Sequence, residues 1–82
     1  MSKREKLLAT IRNNPRGVRF QDLTKLLEWH GFELRRVTGS HYIYKRSPYT
    51  ISVPRHGSHV HSYLVKEVIR AIDELAEQGS ES

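Results

Sequence analysis

The stretch Val37-Thr38-Gly39-Ser40-His41-Tyr42-Ile43-Tyr44-Lys45-Arg46 decides the fold. Gly39-Ser40 is a hairpin-turn signal, and Tyr42, Ile43 and Tyr44 after it are aromatic or β-branched types that suit a pleated, half-buried surface. A strand–turn–strand unit is predicted. Upstream, Phe32 to Val37 reads as a strand. Its alternation sets Phe32, Leu34 and Arg36 on one face and Glu33, Arg35 and Val37 on the other, so Arg35 and Arg36 face different partners. Downstream, Ser47-Pro48 breaks the chain. Tyr49-Thr50-Ile51-Ser52-Val53 then alternates with Ile51 and Val53 inward, until Pro54 ends the ladder because it has no N–H to donate.

Helical periodicity flanks these strands. Residues 3–13 carry Leu7, Leu8 and Ile11 at helical spacing, and Asn13-Asn14-Pro15 stops that helix because the residue before proline is driven out of the α region. Residues 20–30 place Phe20, Leu23, Leu26 and Leu27 on one face, with Trp29 extending it and Gly31 where a left-handed terminating glycine is expected. His30, beside that end, reads as a cation complementing the helix dipole. Residues 62–78 give the clearest helix, with Leu64, Val65, Val68, Ile69, Ile72, Leu75 and Ala76 at 3.6-residue spacing. The expected architecture is α+β: a two-layer αβββα unit with a three-stranded antiparallel sheet and an additional N-terminal helix. Residues 1–17 form an N-terminal helical extension and linker, 18–78 the main domain, and 79–82 a frayed tail.

The chain has 82 residues, a net charge of +5 and no cysteine. A domain of this size buries one modest apolar layer, which disfavours a deep enclosed pocket. The absence of cysteine removes disulfides and thiolate metal sites and fits a cytoplasmic protein. No apolar run is long enough for a membrane span, and the N-terminus lacks the apolar core of a signal peptide.

The charge is uneven. No acid lies between Glu33 and Glu67, an interval that holds Arg35, Arg36, Lys45, Arg46, Arg55 and Lys66 together with four of the five histidines. Clustered cations favour a polyanionic partner: RNA, DNA, an acidic protein or an anionic membrane surface. Within that field His41 follows the turn directly. Histidine has an ordinary pKa of about 6.5, so it exchanges protons near neutrality, and fixed cations stabilise the charge that develops on a phosphate under attack. His41 is therefore the candidate acid or base for RNA cleavage through the 2′-hydroxyl. Arg35, Arg36, Lys45, Arg46, Arg55, His59 and Lys66 are the candidate RNA contacts.

One histidine serves as acid or base in a given transition state, so a second group is required. His56, His59 and His61 are available, and Gly57-Ser58-His59 repeats the Gly39-Ser40-His41 triplet. The first triplet opens a strand, which holds a side chain more firmly than a loop does, and His41 is preferred on that ground. The loop histidines lack a nearby carboxylate or thiolate, so no metal and no cofactor is expected.

The local sequence Gly31-Phe32-Glu33-Leu34, Arg36-Val37-x-Gly39-Ser40-His41-Tyr42-Ile43-Tyr44, Ile51-x-Val53-Pro54 and the helix from Lys66 to Ile72 resembles the HicA family over about residues 20–76. That resemblance implies a double-stranded-RNA-binding-domain-like fold and cleavage of mRNA as an endoribonuclease toxin. It also implies a catalytic His41 in the triplet Gly39, Ser40 and His41, and neutralisation by a HicB-type antitoxin. The chain departs from short family members in residues 1–17 and in the histidine-rich loop Arg55–His61. Two other functions compete: a non-catalytic RNA-binding module using the same basic face, and a domain docking an acidic protein. A histidine centred in the cations favours the enzyme, since a binder has no need of a titratable group there.

Overall fold

The computed structural model describes residues 2–55, 57 and 59–79. The chain runs through α1 (Lys3–Asn13), a 3-10 turn (Pro15–Gly17), α2 (Phe20–Trp29), β1 (Glu33–Thr38), β2 (His41–Arg46), β3 (Tyr49–Pro54) and α3 (Ser62–Gly79). The three strands form one antiparallel sheet in the order β1-β2-β3. This is the expected α+β arrangement, helix–strands–helix in the manner of a double-stranded-RNA-binding domain, preceded by one more helix. Residues 80–82, assigned to a frayed tail, lie outside the described residues, and α3 runs through Gly79.

Local chemistry explains the boundaries. The Ser2 hydroxyl oxygen accepts the Glu5 N–H at 3.1 Å and caps α1. No side chain caps α2, whose first turn is closed by the Leu23 N–H on the Arg19 carbonyl at 3.1 Å. At its other end Gly31 has φ +88. There the Phe32 N–H reaches the Leu27 carbonyl at 3.0 Å and the Gly31 N–H reaches the Glu28 carbonyl at 3.1 Å, the Schellman pairing that consumes orphan carbonyls. Gly39, at φ +59, and Ser40 join β1 to β2; positive φ at the first central residue alone is the type II′ pattern, whose twist matches that of the strands.

One face of the sheet meets the helices. Tyr42 pairs with Val53 and Tyr44 with Ile51, and Tyr44, Ile51 and Val53 are buried against Leu23, Leu26 and Leu27 of α2 and the apolar stripe of α3. The N-terminal helix joins this core through Ile11, which is 3% exposed, with Leu7 and Leu8 partly buried. A bidentate pair, Arg12 to Asp73 with both bonds at 2.9 Å, ties α1 to α3. The loop after β3 is pinned where the Val60 N–H meets the Val18 carbonyl at 2.8 Å, burying both valines. Among the described residues no helix is long and apolar enough to cross a membrane.

Strict alternation fails in β1. Leu34 pairs with Tyr44, but Arg36 pairs with Ile43 and Val37 with Tyr42, so the register slips by one residue at Arg35. The bulge turns Leu34 and Val37 to the same, helix-side face, in contrast to the opposite faces expected from a period of two. Arg36 shares the outer face with Ile43. Arg35 reaches Glu33, itself opposite Lys45, at 3.4 Å, so both arginines serve the outer face.

Candidate active site

His41 is the first residue of β2 and stands between Thr38 of β1 and Pro54 of β3. The central strand therefore holds its backbone from both sides. On the outer face it is followed by Ile43, beside Arg36 and Ser52, and then by Lys45, beside Glu33 and Thr50. Two residues of strand advance roughly 6.4–6.8 Å and neighbouring strands lie about 4.8 Å apart, so Arg36 lies one such step along and one strand across from His41, and Lys45 two steps along. The Arg55 N–H donates to the Ser40 carbonyl at 2.7 Å and fixes the turn immediately before the histidine. A Cβ on Gly39 would meet nothing within 4 Å. Its positive φ, which side chains resist, is what requires glycine there.

His41 also lines a groove of about 410 Å³ with Thr50, Ser52 and Pro54 along the free edge of β3 and Tyr63 and Glu67 on α3. Tyr63 is 69% exposed. Sequence reasoning passed over both helix residues, because Glu67 marks the end of the acid-free interval and α3 reads first as a core helix. The available signal was the spacing of Tyr63, Glu67 and Arg70, which stack on one helix face away from the apolar stripe. Lys66 is exposed on α3, one turn from Tyr63.

The remaining predicted cations divide. Arg35, Arg36 and Lys45 share the outer face. Arg46, opposite Tyr49, lies on the helix side, where its guanidinium donates to the His30 carbonyl. Arg55 also turns to the helix side: its guanidinium donates to the Tyr42 hydroxyl at 3.1 Å and sits 5.5 Å from the Phe20 ring centroid. His59 and His61 line a separate cleft of about 300 Å³ with Arg16 and Ser62. The His61 ring lies 5.5 Å from that of Tyr63, which stands between this cleft and the groove of His41. His56 and Ser58, the other loop candidates, lie outside the described residues. Among the described residues no group of three or more His, Cys, Asp or Glu side chains is placed to hold a metal ion.

His30 corrects its sequence reading. Burial, with Arg4 and Arg46 nearby, lowers its pKa, and Nε2 is buried without a hydrogen-bond partner. The ring is neutral near pH 7. The cation at the end of α2 is Arg46, whose guanidinium meets the last-turn backbone directly, an arrangement the helix dipole favours.

These features define a class: a small α+β domain with the helix–strands–helix order of a double-stranded-RNA-binding domain, a histidine at the start of its central strand and an outer face bearing arginine and lysine. The family model described as HicA toxin of bacterial toxin-antitoxin matches residues 20–73, more than half of the chain. The protein belongs to the HicA toxin family. It is the toxin of a toxin–antitoxin system, and its partner is an antitoxin. No curated protein and no solved structure matches the chain.

Proposed function

We propose that this toxin is an endoribonuclease that cleaves mRNA in the groove at His41. The observation that carries the reading is the meeting of His41 and Glu67 in one groove beside a cationic sheet face. In the reaction the Glu67 carboxylate takes the proton of a 2′-hydroxyl, whose oxygen attacks the adjacent phosphorus. The His41 imidazolium protonates the departing 5′-oxygen, leaving a 2′,3′-cyclic phosphate and a 5′-hydroxyl. Each such group contributes roughly 10²- to 10⁴-fold in rate. Arg36 and Lys45 on the outer face, aided by Arg35 and by Lys66 on α3, hold phosphates and stabilise the charge on the phosphorane. Gly39 and Ser40 act by positioning His41.

Glu67 completes the acid–base pair more directly than His61 or His59, which lie on the other side of Tyr63 or in the Arg16 cleft. Arg46 and Arg55, engaged with His30 and Tyr42, support the site from behind the sheet. A HicB-type antitoxin neutralises the toxin by covering the groove.

The test compares wild type, His41→Ala and Glu67→Gln for cleavage of purified RNA in the presence of a chelator, and for growth arrest on expression. Loss of cleavage in both variants, with cyclic-phosphate ends from the wild type, supports the mechanism. Equal cleavage by wild type and His41→Ala, or cleavage abolished by chelator alone, refutes it. RNA that is bound and never cut makes the protein a binding module.

A further inference from the structure

A second feature lies outside this groove and draws on a helix that the family match does not include. The face of α1 carrying Lys3, Lys6, Leu7 and Thr10 packs beside Lys25 and Trp29 of α2, and together they line an open groove of about 280 Å³. Trp29 is 39% exposed, one of four large hydrophobic side chains facing solvent among the described residues. The Lys25 ammonium stands 5.7 Å from the indole centroid, within cation–π range.

The spacing has a simple origin. Lys3, Lys6 and Thr10 recur at helical intervals along one side of α1, and Lys25 and Trp29 are four apart on α2, so each set stacks on its own helix surface. Where the helices meet, Lys3, Lys6 and Lys25 line one groove with the indole, and no carboxylate is among the described residues that line it. Glu28 is occupied elsewhere, accepting the Tyr44 hydroxyl at 3.5 Å.

We propose that this groove binds single-stranded RNA, with Trp29 stacking on an unpaired base and Lys3, Lys6 and Lys25 contacting the flanking phosphates. The proposal extends the reading of RNA as substrate and rests on it for the identity of the polyanion. An acidic peptide would use the lysines and waste the ring. An apolar peptide would use the ring and strand three charges. A single strand offers a π-face and phosphates together, the combination on which sequence-tolerant single-strand binding depends. Leu7 and Ile11 seat α1 on the core, so the lysines are presented by a fixed helix. The groove gives the toxin a hold on its substrate that does not depend on the reacting residues.

The experiment uses the full chain carrying His41→Ala, so that RNA stays intact, and single-stranded oligoadenylate as probe. Trp29 is the only tryptophan, so intrinsic fluorescence reports this groove alone. Binding is expected to quench it. Read by filter binding, since these variants carry no tryptophan, Trp29→Ala is expected to weaken binding roughly five- to a hundredfold, and Trp29→Phe to recover most of the loss. Replacing Lys3, Lys6 and Lys25 together by Gln should flatten the slope of log K against log salt by about two, from roughly 0.7 per released single-strand contact. RNA that binds without quenching, or with affinity unchanged in Trp29→Ala, overturns the proposal. So does an antitoxin whose binding Trp29→Ala weakens while RNA affinity stays the same. None of these readouts requires cleavage. A failed nuclease assay with intact quenching would strike the catalytic reading alone, and unperturbed Trp29 in an active nuclease would strike this one alone.

Discussion

Replacing Ile11 by alanine tests whether α1 is part of the folded unit. Ile11 is 3% exposed and belongs to the same core cluster as Leu23, Val68 and Ile72. The change removes three carbons; at about 0.8 kcal/mol for each buried methylene the transfer loss is about 2.4 kcal/mol. Incomplete collapse around the cavity brings the expected cost to about 3 kcal/mol, inside the range of roughly 2–5 kcal/mol for such truncations. A chain of this length holds about 4–12 kcal/mol in total, so the loss is a large fraction of it. Urea denaturation followed by circular dichroism is the assay. With a slope of about 1 kcal/mol per molar urea, the midpoint should fall by about 3 M. A shift below about 0.5 kcal/mol, the scale of ordinary surface substitutions, would show that the family-matched stretch folds without α1. Lys3 and Lys6 would then not be presented by a helix fixed to the core.

On the proposed mechanism Glu67→Gln keeps the shape of the groove and removes the proposed base, so cleavage should fall roughly 10²- to 10⁴-fold while RNA affinity is nearly unchanged; single-turnover rates and filter binding separate the two, and a matching loss in affinity would make Glu67 a binding group. Arg12→Ala breaks an exposed ion pair of good geometry, and a loss of about 0.5–1 kcal/mol is expected by thermal melting. The hydrogen bond from Arg12 lowers the Asp73 pKa, so this contribution is complete above the unfolded value near 3.9 and disappears as pH falls through the folded one. For His30 the lowered pKa means that the unfolded chain binds more protons between the folded value and about 6.5, so stability should rise with pH across that window and level off above it. In His30→Gln that slope should disappear; a slope of the same size would assign it to another group.

The elements were legible because each carries its own period and punctuation. Leu23, Leu26 and Leu27, Gly39-Ser40, the alternation at Ile51 and Val53, and the stripe from Leu64 to Leu75 all read locally, and local and tertiary preferences agree there. The bulge at Arg35 had no such signal. A period of two separates Leu34 from Val37, yet both sit on the helix-side face because the register slips between Leu34 and Arg36. His30 was misread because its lowered pKa comes first from burial and then from Arg4 and Arg46, which are distant in sequence and adjacent in space. Glu67 was hidden for the same reason. Counted along the chain it closes the acid-free interval; folded, it lies across a groove from the histidine at the interval's centre.

The fold's small size also shapes how such a toxin works and how it is silenced. The described residues enclose no deep site around His41, and the groove lies on the rim where the end of β2, the edge of β3 and the start of α3 converge. Water is not excluded from a rim, so electrostatic stabilisation there is weaker than in a buried site, and the cleavage proposed above would lean on holding the groups in place. The backbone of His41, in the ladder between β1 and β3, and Glu67, on a helix whose opposite side is core, meet that requirement without a lid. An open rim in turn admits a flexible polymer from either side, which suits the RNA substrate proposed above. On the proposed reading, the same openness would let an antitoxin inhibit by covering the surface: no closed conformation has to be trapped, and occupation of the groove beside Tyr63 would exclude a phosphate from His41 directly.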